Sequence, residues 1–147
     1  MPIIDLHTDF VAEQLSSKFP EEHFTADSNC VWVPSAIIAN VCSFLKTEKD
    51  FRIDYLNSIT AVDFIDHFAI VYHLSSIETQ NRITLKCHLY GRDDLSIDSV
   101  LNIWQGADFQ EREIWDLMGI KFNGRPNMKR LLLWEGFEGH PLRKDFL

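Results

Sequence analysis

From Ile83 to Tyr90 the chain alternates without a break. Ile83, Leu85, Cys87 and Leu89 take one parity, and Thr84, Lys86, His88 and Tyr90 take the other. A period of two over this length is a strand with one buried face. Such a strand is not stable alone, so a sheet must surround it. Phe68, Ile70, Tyr72 and Leu74 repeat the pattern upstream, and Tyr55 to Phe64 is rich in Ile, Thr, Val and aromatics. Short connections, at Asp66-His67 and across Ser75 to Asn81, favour antiparallel neighbours. Gly91-Arg-Asp-Asp closes the last strand, giving a meander of about three or four strands with the brief Cys30-Val-Trp-Val33 run.

Helical spacing flanks this sheet. Residues from about 7 to 18 form a short amphipathic helix, with Val11 and Leu15 four apart and Phe19-Pro20 ending it. Glu21 to Asn29 is acidic and irregular. Pro34-Ser-Ala opens a second helix, where a missing N–H costs nothing. Ile37, Ile38, Val41, Phe44 and Leu45 mark its apolar face. Ser96 is placed to cap a third helix carrying Ile97, Val100, Leu101 and Trp104, which Gly106-Ala-Asp interrupts before a further helical stretch from Phe109 to Met118. Gly119 stops it in a left-handed conformation.

After Ile120 both periods vanish, and Gly124, Pro126, Gly136, Gly139 and Pro141 break up the chain. Yet Leu131-Leu-Leu-Trp134 and Phe137 keep it apolar, which argues against simple disorder. The expected fold class is therefore α+β. A small mixed, mostly antiparallel sheet with N-terminal helices and a further helical region makes a domain over residues 1–120. A long irregular C-terminal arm over 121–147 follows, with backbone groups that need a partner's cover.

Charge divides the chain at the same place. Lys121 to Leu147 holds six basic and three acidic residues, so it carries +3, which leaves −11 on residues 1–120 for a net charge of −8. The two parts face different surroundings. Cations at Lys129, Arg130, Arg143 and Lys144 are of the kind that contact phosphate, but the acidic body repels a polyanion, and carboxylates of a protein partner suit them better. No run of about 18 apolar residues exists, and the start MPIIDLHTDF lacks a secretory pattern, so membrane association is expected only through partners.

Cys30, Cys42 and Cys87 are odd in number and widely spaced, which fits free thiols rather than a disulfide, zinc or iron–sulfur framework. Neither H-x-x-x-H, G-x-G-x-x-G, a P-loop nor G-x-S-x-G occurs. The one dense titratable cluster is Glu111, Glu113 and Asp116 around Arg112, which at helical spacing can share a face. Either it is an acid/base or metal site, or it is an ion-paired surface or interface. Without histidine in the run, the second reading is preferred.

Glu111-Arg-Glu-Ile-Trp-Asp-Leu-Met-Gly-Ile120, then Phe122, Gly124-Arg-Pro126, Arg130-Leu-Leu and finally Glu138-Gly-His-Pro-Leu-Arg-Lys-Asp145, resembles the signature of the C-type subunit, the 30 kDa subunit family, of respiratory complex I. The family usually places a histidine before the proline of the first tail block, where this chain has Arg125. The resemblance implies a structural or assembly component in the peripheral arm of a proton-pumping NADH–quinone oxidoreductase, at the cytoplasmic face of the cell membrane. It implies no catalytic residue and no cofactor in this chain, with FMN, iron–sulfur clusters and quinone on other subunits. The implied partners are the large D-type subunit, which helps build the quinone site, the B-type subunit and other peripheral-arm subunits; no nucleic acid is implied. Residues expected to dock are Glu111, Arg112, Glu113, Asp116, Gly119, Phe122, Pro126, Arg130, His140, Pro141, Leu142, Arg143, Lys144 and Asp145. The alternative is the equivalent subunit of a complex-I-like membrane-bound hydrogenase or ferredoxin-dependent dehydrogenase.

Overall fold

The structure, a computed structural model, describes residues 4–91, 94–126 and 138–144. Its centre is the expected meander: β4 (Tyr55–Asp63), β5 (His67–Ser76) and β6 (Asn81–Tyr90) pair antiparallel in chain order. Three two-residue strands extend the sheet. β1 (Ile4–Asp5) and β3 (Val31–Trp32) run parallel to β6, and β2 (Thr25–Ala26) pairs antiparallel with β3. The sheet is therefore mixed, mostly antiparallel and six-stranded, wider than the meander alone.

Register explains the alternation. Leu56, Ile59, Ala61, Asp63 of β4, Phe68, Ile70, Tyr72, Leu74 of β5 and Ile83, Leu85, Cys87, Leu89 of β6 fall opposite one another, so one face is apolar across all three strands except at Asp63, where β4 ends. Helix α1 (Thr8–Lys18) adds Val11 and Leu15 to the core on this face. Helix α2 (Ile38–Thr47), entered through a 3-10 turn at Ser35–Ile37, adds Ile38, Val41, Cys42 and Leu45. All three cysteines are free and buried. The opposite face carries a stack. The rings of Trp32 and His88 lie parallel with centroids 4.0 Å apart, Tyr90 and His67 pack beside His88, and Lys86 sits over Trp32.

Several expectations are corrected. The hairpin turn lies at Phe64–Asp66, where Asp63 accepts the Ile65 N–H and Ile65 adopts φ +76°; His67 is already in the strand. The next turn is confined to residues 77–80, because Ser75 and Ser76 continue β5 and Ser76 Oγ accepts the Thr79 N–H. The helix expected from Ser96 does not form. Ser96–Asp98 is strand β7, paired parallel with β8 (Lys121–Asn123), and residues 99–106 are turns. Ile97, Val100 and Trp104 are buried as their spacing requires, but Ile97 is held extended by Phe122, opposite it in β8, while Val100 and Trp104 lie in the turns that follow, with Trp104 N–H on the Val100 carbonyl at 2.9 Å. Helix α3 (Ala107–Met118) begins only after Gly106. The strand β8 also gives the arm a regular start that no periodicity announced.

Candidate functional site

Helix α3 organises the polar chemistry. Ala107, Glu111, Ile114 and Met118 lie on its buried stripe, so a carboxylate occupies an apolar-face position. Glu111 is 0% exposed. Ser99 donates its hydroxyl to Glu111 Oε1 at 2.6 Å, and Val100 N–H donates to Oε2 at 2.9 Å. The Arg125 side chain, 1% exposed, donates through Nη1 to Oε1 at 3.2 Å. Arg125 also donates to the Asp108 carbonyl at 3.2 Å and to the Asp108 carboxylate. Burial pushes the Glu111 carboxyl up from its ordinary value, while Ser99, Val100 and Arg125 pull it down without cancelling that push. A buried charge needs such partners to persist. Beside this network a polar cleft of about 760 Å³ is lined by Leu101, Asn102, Gln105, Asp108, Arg112, Arg125 and Pro126.

The other end of α3 meets the tail. A helix leaves its last carbonyls without intrahelical donors. Here Gly119, at φ +77°, turns the chain and returns its N–H to the Trp115 carbonyl at 3.0 Å. His140 Nδ1 lies 3.0 Å from the Asp116 carbonyl and serves as its donor. Leu142 N–H donates to the Leu117 carbonyl at 2.9 Å, and Arg143 Nη1 reaches the Met118 carbonyl at 3.4 Å. The tail thus caps the helix carbonyl by carbonyl, and Arg143 adds a cation where the helix dipole favours one. The His140 ring packs on Trp115 at 5.1 Å between centroids. A methyl group on Gly119 would lie 2.7 Å from His140 Cδ2, so only glycine admits this approach. Arg143 then lies over Phe68 at 5.2 Å, and Lys144 N–H donates to Asp63 Oδ2 at 2.8 Å.

The expected site residues therefore separate. Glu111, Asp116 and Phe122 are buried. Gly119, His140, Leu142 and Arg143 meet at the helix cap, and Pro141 belongs to the same turn, closed by Arg143 N–H on the His140 carbonyl. Arg112, half-buried, lies 3.8 Å from Asp108 and over the Phe109 ring. Glu113, Pro126 and Lys144 are exposed. Arg130 and Asp145 lie outside the described residues, as do Lys129, the Leu131-Leu-Leu-Trp134 run and Phe137. The expectation that Glu111, Glu113 and Asp116 share a face is corrected, since Glu113 faces solvent while the other two point inward. Among the described residues no group of three or more His, Cys, Asp or Glu side chains is placed to hold a metal. No helix among them is long and apolar enough to cross a membrane. Sequence reasoning missed the pairing of Arg125 with Glu111. Its one available signal was the position of Glu111 on the stripe of Ala107, Ile114 and Met118.

The family profile described as the respiratory-chain NADH dehydrogenase 30 Kd subunit matches residues 31–147. The second C-type subunit of the NADH-quinone oxidoreductase of Rhizobium meliloti (strain 1021) is 40% identical over 117 residues, 78% of this chain. The chain spans only 63% of that relative's length. A C/D-type subunit of the NADH-quinone oxidoreductase of Psychrobacter cryohalolentis is 36% identical over 145 residues, which cover 91% of this chain and 24% of that one. A chain of the membrane-bound sulfane sulfur reductase, an archaeal respiratory membrane complex, shares the fold with a TM-score of 0.75. It is 24% identical, over 94% of this chain and 84% of that chain.

Proposed function

The chain belongs to the respiratory-chain NADH dehydrogenase 30 kDa subunit family, and on that premise we propose that it is a scaffold component of an NADH–quinone oxidoreductase. In this reading it sits in the peripheral arm at the cytoplasmic face of the membrane and holds the large D-type subunit and its B-type neighbour. FMN, iron–sulfur clusters and quinone belong to other subunits, and membrane attachment is through partners. One observation carries the reading. The two most family-specific blocks, 111–119 and 138–144, fold onto each other at the end of α3, and their carboxylate Glu111 is spent on an internal ion pair. A charge neutralised and buried in this way supports a positioning role rather than proton transfer. The Psychrobacter chain that carries C and D in one name supports the D-type partner.

The boundary at residue 121 takes a particular meaning here. Residues 121–147 act as an arm fastened to the domain by β8 at 121–123 and by the helix cap at 140–143, and the exposed positions Glu113, Pro126, Leu142 and Lys144 meet partners; Arg130 and Asp145, outside the described residues, are proposed to do the same. A second reading keeps the fold and changes the enzyme to a complex-I-like hydrogenase or ferredoxin-dependent dehydrogenase. The shared fold of the sulfane sulfur reductase chain favours keeping it in view. Mass spectrometry of the native complex separates the two. NADH-oxidising and quinone-site subunits support the first, and a nickel-bearing large subunit overturns it.

A further inference from the structure

The six-stranded sheet has two faces, and the helices cover one of them. All three helices place their buried side chains in the core with Phe68, Ile70, Tyr72 and Leu74. The other parity of the meander points away from that core. In register, Lys86 stands beside Trp32, Val71 and Thr60 share its row, His88 stands beside Ala69 and Val62, and Tyr90 beside His67. Ala69 and Val71 are buried, at 2% and 8% exposed, yet neither belongs to the core. An antiparallel sheet that simply faces water carries polar residues on that side. Here Val62, Phe64 and Tyr90 are 40%, 49% and 72% exposed around the Trp32–His88 stack and His67. Exposed apolar groups gathered in this way mark interaction sites.

Beside these rings the same face turns polar. A cleft of about 450 Å³ is lined by Asn57, Ser58, His73, Thr84 and Lys86, together with Arg82 and Asp5. Ser58, His73 and Thr84 form one row across β4, β5 and β6. The register shift between Leu56 and Ser58 adds Asn57 to them, as bulges re-aim side chains. Among the described residues Asp5 is the one carboxylate in the lining, and it is already paired, since Arg82 Nε donates to it at 2.6 Å. Asp27, in the loop between β2 and β3, lies outside the lining, and its carboxylate accepts the Ser28 N–H. Lys86 has no hydrogen bond or ion pair among the described residues; its Nζ lies over Trp32, 5.6 Å from the ring centroid. The cleft therefore holds one uncompensated cation beside hydroxyl and amide donors.

We propose that this face of the sheet docks a neighbouring subunit, which presents an aspartate or glutamate to Lys86 and an apolar side chain to the adjoining surface of Val62, His88 and Tyr90. Lys86 meets the carboxylate, and Ser58, Thr84 and Asn57 donate to its remaining lone pairs. Charges more than about 10 Å away are screened in salt, so Lys86, rather than the chain's net −8, sets the sign of the contact. The aromatic surface supplies burial, and the lysine supplies selection among partners. The proposal rests on the scaffold reading above, since the neighbour is sought in the assembled complex.

Acetylation of Lys86, read by mass spectrometry on the full chain alone and within the complex purified from membranes, tests it. A carboxylate partner holds the proton that acetylation must remove, so Lys86 reacts about ten-fold more slowly in the complex. A carbodiimide couples Lys86 there to an aspartate or glutamate of the neighbouring subunit. Lys86→Glu lowers recovery of the complex by about ten-fold, and Lys86→Gln lowers it less, while the circular dichroism of the free chain is kept. If a variant misfolds, the labelling of the unmodified chain decides. A complex that forms with Lys86 reacting at its free rate overturns the proposal and leaves the scaffold reading intact. Coupling to a second copy of this chain, or only to the chain's own carboxylates, also overturns it. Protection given to the free chain by inorganic phosphate alone identifies a free-anion site and overturns it as well. Failure to enter any complex defeats both.

Discussion

Replacing Arg125 with alanine removes the cation of a carboxylate that has no access to water. Glu111 is 0% exposed and keeps only the Ser99 hydroxyl and the Val100 N–H. Breaking one side of a buried ion pair costs about 3–5 kcal/mol. Two conditions place this site at the lower end. The two remaining donors still solvate Glu111, and its carboxyl is already pushed up from its ordinary value, so protonation offers an escape. Taking about 3 kcal/mol, and about 2–4 °C per kcal/mol for a protein of this size, the melting temperature near pH 7.5 falls by roughly 6–12 °C. The sign of the pH dependence follows from linkage. A carboxyl with a raised folded pKa binds protons more tightly folded than unfolded, so stability is lost as pH rises from the unfolded value toward the folded one. Arg125→Ala raises the folded value further, so its deficit is smaller at pH 5.5 than at pH 7.5. Thermal unfolding of wild type, Arg125→Ala and Arg125→Ala/Glu111→Gln at both pH values reads this directly. The double variant recovers part of the loss at pH 7.5, because it leaves no buried charge. A single variant within about 2 °C of wild type, or a deficit equal at both pH values, refutes the account of the network.

Gly119→Ala combines a left-handed backbone cost of about 1–2 kcal/mol with a methyl placed 2.7 Å from His140 Cδ2. It lowers stability and speeds tryptic cleavage at Arg143 and Lys144; cleavage at the wild-type rate contradicts the cap. Tyr72 is fully buried, and its hydroxyl has no hydrogen-bond partner among the described residues. Tyr72→Phe therefore stabilises by about 1 kcal/mol in denaturant titration, and a loss of stability shows that the hydroxyl is bonded. Burial and the neighbouring His67 hold the His88 imidazole below its ordinary value of 6.5. The unfolded chain takes this proton first as pH falls, so stability declines on acidification through that window. In NMR titration His88 titrates below 6.5, and His67→Gln moves its midpoint upward; an unmoved midpoint refutes the coupling.

The strands and helices with several turns of period were readable in the residues. Ile83 to Leu89 and the face from Ile38 to Leu45 are buried where their spacing put them. Strands β7 and β8 are three residues each, too short to show a period, and their pairing joins segments 25 residues apart in register. That is why Ile97, Val100 and Trp104, at helical spacing, mislead: tertiary pairing overrides a local pattern that burial alone would satisfy. Gly119 as a helix stop was legible from its residue type, but its contact with His140 was not, since no local rule links residues 21 apart. Arg125 looked like a departure at a tail position. Its place inside the fold depends on a glutamate in the helix before it and a serine before that.

On the proposed reading, this chain serves by holding neighbours in a redox complex. Purification of the tagged full chain from membranes in mild detergent, with quantitative mass spectrometry of what co-elutes, tests it most directly. A scaffold role requires stoichiometric recovery of a large subunit of the D type and of its B-type neighbour, together with NADH–quinone activity in that fraction and none in the isolated chain. Elution as a lone protein, or turnover by the isolated chain, would contradict it.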